Sequence, residues 1–280
     1  MNNLGQETEI LLKPLKLRED EYRDPETDLI MCSLCHTPRE KRFTMLGADY
    51  NVRIPCRCRQ EAAEAREARQ RQMDFEDQIQ RNRGLGMTEA ALRTYTFAND
   101  KCCTPEMERA RRYVDHWDDM FKKSLGLLVW GDVGTGKTFL AGCIANALLD
   151  KGVPVMMTNF ARILNRMSDF SAGDKNRYLD EFNRYPLLIL DDLGMERSSE
   201  FAQEQVFNVI DARYRSQLPM IVTTNLSLGE MKNPGNLAQK RVFDRVLERC
   251  IPLKVNGQNL RQARSLENMA QARALLEDSV

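Results

Sequence analysis

The chain has 280 residues, with 41 Lys+Arg against 41 Asp+Glu, 42% hydrophobic and 29% charged residues. Zero net charge excludes a nucleic-acid binder working by bulk positive charge, though not one with a local basic patch, and the length allows one large domain or two modest ones. The longest apolar runs, residues 127–130 and 187–190, fall far short of the ~20 residues needed to cross a bilayer, so no membrane partner is expected.

The opening MNNLGQETEI has neither the basic segment nor the apolar core of a secretory signal, which makes a cytoplasmic protein the expectation. Residues 1–28 are polar, contain Pro14 and Pro25, and read as a flexible tail. Residues 29–58 hold Cys32, Cys35, Cys56 and Cys58 around a short strand-like run at 50–54. Cys-x2-Cys, twenty residues, then Cys-x-Cys offers four thiolates from two tight turns, the donor set that tetrahedral Zn²⁺ prefers. So short a segment builds little core, and a structural metal would supply its stability. Free thiols or a redox pair are the alternatives, and His36, beside Cys35, is the obvious substitute ligand. Cys102, Cys103, Cys143 and Cys250 sit among apolar residues and read as inert core positions. A disulfide framework is not expected in a chain of this size without a signal.

Residues 59–83 contain no Gly or Pro, and six acids roughly cancel six arginines. This predicts a solvated connecting helix that Gly84 and Gly86 terminate, giving a connector over 59–86. From residue 87 strand-like runs at 127–130, 153–158, 187–190, 220–224 and 251–255 alternate with amphipathic stretches at 138–151, 160–170 and 201–216. Strands spaced by helices predict an α/β fold with a five-stranded parallel sheet covered on both faces.

The sequence Gly131-Asp132-Val133-Gly134-Thr135-Gly136-Lys137-Thr138 follows the first run and opens the first helix. It fits G-x-x-x-x-G-K-[ST], in which a glycine-rich loop turns backbone N–H groups onto phosphate at a helix N-terminus. Lys137 would reach the β- and γ-phosphates, and the Thr138 hydroxyl would ligate Mg²⁺. The plain alternative is a Gly-rich turn. The run at 187–190 ends in Asp191-Asp192, at the strand edge where ligands bind in α/β sheets. Asp191 would hold Mg²⁺ through water, and Asp192 would polarise or orient the attacking water; two solvated loop aspartates are the alternative. The run at 220–224 ends in Asn225, placed to touch the γ-phosphate or the water, or to cap the following turn.

In the order GDVGTGKT, LLILDDLG, IVTTNLS and RVFDRV, with DARY between the second and third, the sequence resembles the DnaC/IstB-like branch of the AAA+ ATPases over residues 88–265. RTYTFAND, ahead of the first run, also looks like the loader pattern and in that family helps line the adenine pocket. The resemblance implies an AAA+ domain over 87–265 with a minimal lid, followed by a C-terminal tail over 266–280. It implies that Asn225 is the sensor-1 residue and that Arg245 reaches a neighbouring subunit's nucleotide. Arg261 falls where the family keeps a second nucleotide-binding arginine. Either arginine could instead be a surface charge. Asp-Asp, rather than the Asp-Glu of AAA+ motors, fits slow hydrolysis acting as a switch.

What the resemblance implies is an ATP-dependent loader that places a replicative DNA helicase on single-stranded DNA. It would use ATP, Mg²⁺ and Zn²⁺ and self-associate through its ATP sites. The rivals are a transposition helper ATPase binding duplex DNA, a small-molecule phosphotransferase, and a zinc-dependent nucleic-acid-binding module with a vestigial ATPase.

Overall fold

Two units, dividing between Glu76 and Asp77, make up the computed structural model, which describes residues 15–45, 48–100, 103–194 and 199–277. The expected tail positions 1–14, together with Cys102 and positions 278–280 of the expected C-terminal tail, lie outside the described residues.

In the smaller unit β1 (Glu21–Arg23) pairs antiparallel with β2 (Ile30–Cys32), and β3 (Glu40–Met45) with β4 (Ala48–Arg53). Residues 21–23, expected in the tail, are therefore a strand of the cysteine-bearing unit. The run expected at 50–54 is half of a hairpin, in which Phe43 lies opposite Tyr50 with stacked rings 5.6 Å apart. Its buried residues are few: Ile30, Cys32 and Cys56, with the charged Glu21, Arg39 and Glu40. Helix α1 (Arg57–Gly86) begins two residues before the expected connector and passes through Gly84. It stops at Gly86, where a Cβ would sit 1.8 Å from the Val155 carbonyl oxygen.

In the larger unit α2 (Pro105–Asp115), capped by Thr104, and α3 (Trp117–Lys122) precede β5 (Gly126–Trp130). There follow α4 (Lys137–Asp150), β6 (Val155–Asn159), α5 (Phe160–Ser168), α6 (Ala172–Phe182) and β7 (Leu187–Leu193). Then come α7 (Glu200–Arg215), β8 (Met220–Thr224), α8 (Leu228–Lys232), α9 (Leu237–Arg249), β9 (Cys250–Lys254) and α10 (Leu260–Glu277). The sheet order is β6-β7-β8-β5-β9, all parallel. Alternate strand residues feed opposite layers. Leu127, Val129, Leu187 and Ile189 pack with α2 and α4, while Leu128, Leu188, Leu190 and Val222 pack with α5, α7 and α9.

Three expectations change here, the first being that Cys103, read as a core position, is exposed. Strand β7 does not end at 190 but runs through Asp191 and Asp192 to Leu193, with a register shift against β8 between Leu190 and Leu193. The C-terminal stretch is not a tail but continues α10 to Glu277, because residues 260–277 contain no Gly or Pro and are rich in Ala, Leu, Arg and Gln. Among the described residues no helix is long and apolar enough to cross a membrane.

Candidate nucleotide site and cysteine cluster

The loop 131–136 leaves the C-terminal end of β5 and delivers Lys137 and Thr138 to the first turn of α4. Gly136 is the helix N-cap at φ +98°, a left-handed conformation that glycine adopts at little cost. Gly134 sits at φ +82° with the side chain of Asn259 against its α-carbon; a Cβ there would meet the Asn259 Oδ1 at 2.1 Å. The Lys137 ammonium, 6% exposed, donates to the Gly131 and Asp132 carbonyl oxygens at 2.9 and 2.7 Å. Burial lowers its pKa, against the opposing pull of Asp192 and Asp191. Arg261 shares this field and pushes the same way as burial.

Because β7 and β8 are parallel neighbours, their C-terminal ends bring the acidic pair beside Thr223 and Asn225. The Thr138 hydroxyl donates to Asp191 Oδ2 at 3.0 Å, and the Thr223 hydroxyl donates to Asp191 Oδ1 at 2.5 Å. Thr223 Oγ1 also accepts from the Asp192 backbone N–H at 2.9 Å. Burial, followed by the charge of Asp192, raises the Asp191 pKa, while the two threonine bonds pull it back. Asp192 stands at φ +61° in the irregular stretch of β7. A left-handed residue in a bulge turns its side chain away from the strand's alternation, and Asp is among the few non-glycine residues that tolerate it. Asn225, half-buried, follows β8 directly.

Arg261 is the second residue of α10, whose first turn is fixed on the phosphate loop. The Leu260 N–H donates to the Gly134 carbonyl at 2.9 Å, and Asn259 Oδ1 accepts from the Arg261 and Gln262 N–H groups. Tyr95, from the RTYTFAND stretch, packs its ring 5.3 Å from Phe139 and against Gly142. Asn146 fixes that stretch by donating to the Leu92 and Tyr95 carbonyls.

Arg245 is held elsewhere, on α9. Its guanidinium pairs with Asp211 of α7 at 2.7 Å and lies over the rings of Phe207 and Tyr214 at 4.8 and 5.6 Å. No contact between it and the chain's own phosphate loop occurs among the described residues. DARY thereby divides its labour. Asp211 takes Arg245, Tyr214 lies under it, and Arg213, 1% exposed, points inward to the carbonyls of Phe182, Tyr185, Pro186 and Pro219.

Sequence reasoning missed Thr223, Asn259 and Asp211 as site residues. The signal for Thr223 is a polar side chain at an interior-facing position of an apolar strand. For Asn259 it is only that of an N-cap. Asp211 opens the DARY segment, but its partner is 34 residues away and nothing local names it.

In the smaller unit the Sγ atoms of Cys32, Cys35, Cys56 and Cys58 all lie within 4.8 Å of one another. Four thiolates at about 2.3 Å from Zn²⁺ in a tetrahedron stand about 3.8 Å apart, so the donor set and its spacing fit that metal. Arg39, 3% exposed, donates to Cys32 Sγ at 3.2 Å and Cys56 Sγ at 3.3 Å. Burial pushes the Cys56 thiol up, but hydrogen bonds led by that of Arg39 leave its pKa lowered. His36 is not among the clustered donors, and its Nδ1 is hydrogen-bonded with the Tyr22 hydroxyl at 3.2 Å.

The family described as IstB-like ATP binding protein matches residues 68–268. Among curated relatives, the replicative helicase loader DnaI of Bacillus subtilis is 31% identical over 153 residues, 50% of this chain and 48% of its own length. The replicative helicase loader DnaC of Escherichia coli K12 is 29% identical over 143 residues, 50% of this chain and 56% of its own length. The chain thus spans about half the length of the curated relatives it matches. Of solved structures, the crystal structure of the DnaI superposes with TM-score 0.53 at 23% identity, covering 64% of this chain and 99% of that one. The DnaC helicase loader gives TM-score 0.52 at 23% identity, covering 60% and 100%. These two likenesses show a shared fold.

Proposed function

Since the chain belongs to the IstB-like ATP-binding family, we propose that it is an ATP-dependent loader delivering a replicative DNA helicase onto single-stranded DNA. The observation that carries this is the hydrogen-bonded set Thr138–Asp191–Thr223–Asp192 at the mouth of the phosphate loop, in a chain whose relatives are named as helicase loaders. Those names favour helicase loading over a transposition helper on duplex DNA. A cytoplasmic location goes with that reading.

Each residue has a task in this reading. The Lys137 ammonium exchanges its bonds to the loop carbonyls for phosphate oxygens, and the N-terminus of α4 adds its dipole. The Thr138 hydroxyl and, through water, Asp191 form the hard oxygen set that suits Mg²⁺, which when bound neutralises phosphate charge. Asp192 orients the attacking water and Asn225 steadies it. Arg261, fixed by the capped start of α10, faces the same phosphates. Arg245 completes the site of a neighbouring copy of the chain, which ties assembly to ATP. A short carboxylate at 192 keeps hydrolysis slow, so the nucleotide acts as a switch that releases the loader from the helicase and the single strand. Cys32, Cys35, Cys56 and Cys58 hold one structural Zn²⁺ with no open position.

The test is helicase loading onto single-stranded DNA with ATP. The chain should load, and Lys137→Ala should neither bind ATP nor load. Loading by Lys137→Ala at the unmodified rate would refute an ATP-dependent loader.

A further inference from the structure

The Arg245 guanidinium is three-quarters buried, and its surroundings hold its position without consuming all its donors. Nη2 pairs with Asp211 Oδ1 at 2.7 Å, and Nη1 donates to the Arg241 carbonyl at 3.0 Å. Its face rests on Phe207 and, at longer range, on Tyr214. The Tyr214 ring is itself fixed by its hydroxyl, which donates to Glu248 at 2.9 Å. The other oxygen of Asp211 lies 2.7 Å from Arg215 Nε, and Asp211 meets Arg245 through Oδ1 alone. Of the five N–H bonds of a guanidinium, one goes to Arg241, while Arg245 Nε and Asp211 Oδ1 are each buried without a hydrogen-bond partner, so the 2.7 Å contact with Asp211 is an ion pair and not a directed hydrogen bond. The other terminal N–H groups make no hydrogen bond among the described residues, and the side chain keeps 25% exposure.

A free surface arginine would lose rotamer entropy on being ordered. Here that ordering is done in advance by groups on the chain's own α7. A carboxylate 13% exposed would be costly to keep unpaired. Its place in the packing between α7 and α9 therefore forces a cation toward it from each side.

We propose that Asp211 is the positioning residue of the trans-acting arginine. It holds Arg245 through the ion pair in the orientation in which its uncommitted terminal N–H groups face a neighbouring copy of the chain. This rests on the trans role proposed above for Arg245.

The test uses full-length chains mixed in pairs on single-stranded DNA with helicase and ATP. Lys137→Ala supplies only the arginine, and Arg245→Ala supplies only the nucleotide site. Their mixture should regain turnover at interfaces pairing one of each. Adding Asp211→Asn to the Lys137→Ala chain should cut the regained turnover about tenfold, the lower range for loss of an orienting partner. The KM for ATP should not change. Adding Asp211→Asn instead to the Arg245→Ala chain should change nothing, since the arginine is already gone there. Asp211→Glu on the arginine-supplying chain should recover part of the loss.

A purely structural Asp211 would lower turnover from either chain, and that symmetric result overturns the proposal. So does an increase in turnover, which would make the Asp211 pair a restraint on the arginine. If the parent mixture regains nothing, the trans role of Arg245 itself falls, and the role of Asp211 falls with it.

Discussion

Replacing Thr223 by valine keeps the side chain's shape and removes one oxygen. That oxygen is fully buried and serves twice, donating to Asp191 Oδ1 and accepting from the Asp192 N–H. A buried N–H left without its partner costs about 1–3 kcal/mol, and a hydrogen bond to a charged group contributes about 1.5–3 kcal/mol. The variant should therefore be less stable by about 3 kcal/mol at pH 7. For a unit of this size that is a fall in Tm of roughly 6–12 °C. The two parts separate with pH. Burial raises the Asp191 pKa above its unfolded value. Folded protein then holds the proton more tightly, and the resulting penalty is absent in acid, grows as pH rises through the raised pKa, and is constant above it. Thr223 stabilises the ionised form, so losing it raises the pKa further and enlarges the penalty at neutral pH. The difference between the two proteins is largest at pH 7 and shrinks as pH falls through the Asp191 pKa. In acid only the N–H part, about 1 kcal/mol, remains. Both tryptophans, Trp117 and Trp130, lie in the larger unit, so urea unfolding followed by their fluorescence between pH 4 and pH 8 reports on it directly. A difference that stays constant across that range would refute the argument from charge, and one below 1 kcal/mol at pH 7 would refute the burial argument altogether.

Arg213→Met should destabilise the same unit by about 3 kcal/mol, because buried carbonyls lose their donor while the cost of burying a cation is relieved; a Tm within 2 °C of the parent would contradict this. Asp192→Asn retains the left-handed backbone at φ +61°, since Asn tolerates it as Asp does. It should bind ATP normally by calorimetry and turn over at least tenfold more slowly, a fair loss for a water-orienting group. Equal loss of binding would show that the residue has another task. Cys58→Ser should take bound zinc, measured by mass spectrometry, from one equivalent to a small fraction and melt the smaller unit while ATP binding stays intact. Under half an equivalent on the freshly purified parent chain would count against the zinc site.

The parallel sheet was legible because each strand is a continuous apolar run with helical stretches between, and the phosphate loop because its spacing reflects one backbone shape. Strand β7 extends beyond its apolar run because two aspartates look like loop when their neighbours on β8 are not known. Phe43 and Met45 of β3 alternate with polar residues, yet both are exposed, so no buried face announced the strand. The three residues of β1 pair with β2 through backbone alone and carry no periodicity. Gly84 was read as a stop, but an isolated glycine in a solvated helix costs only about 1 kcal/mol, and α1 absorbs it. Helix α10 was legible by propensity, and reading 266–280 as a tail overlooked it. Tertiary pairs such as Asp211–Arg245 and Asn259–Gly134 join residues far apart in sequence, and a single sequence has no register for them.

The left-handed backbone of Asp192 also bears on how such a site can change over generations. At φ +61° the chain accepts Gly, Asn and Asp readily, while a longer side chain there carries a steric cost. Under the role proposed for Asp192, a step to glutamate would therefore place a less favoured residue at a left-handed position whose N–H is bonded to Thr223, and the shape of the chain itself favours the shorter carboxylate.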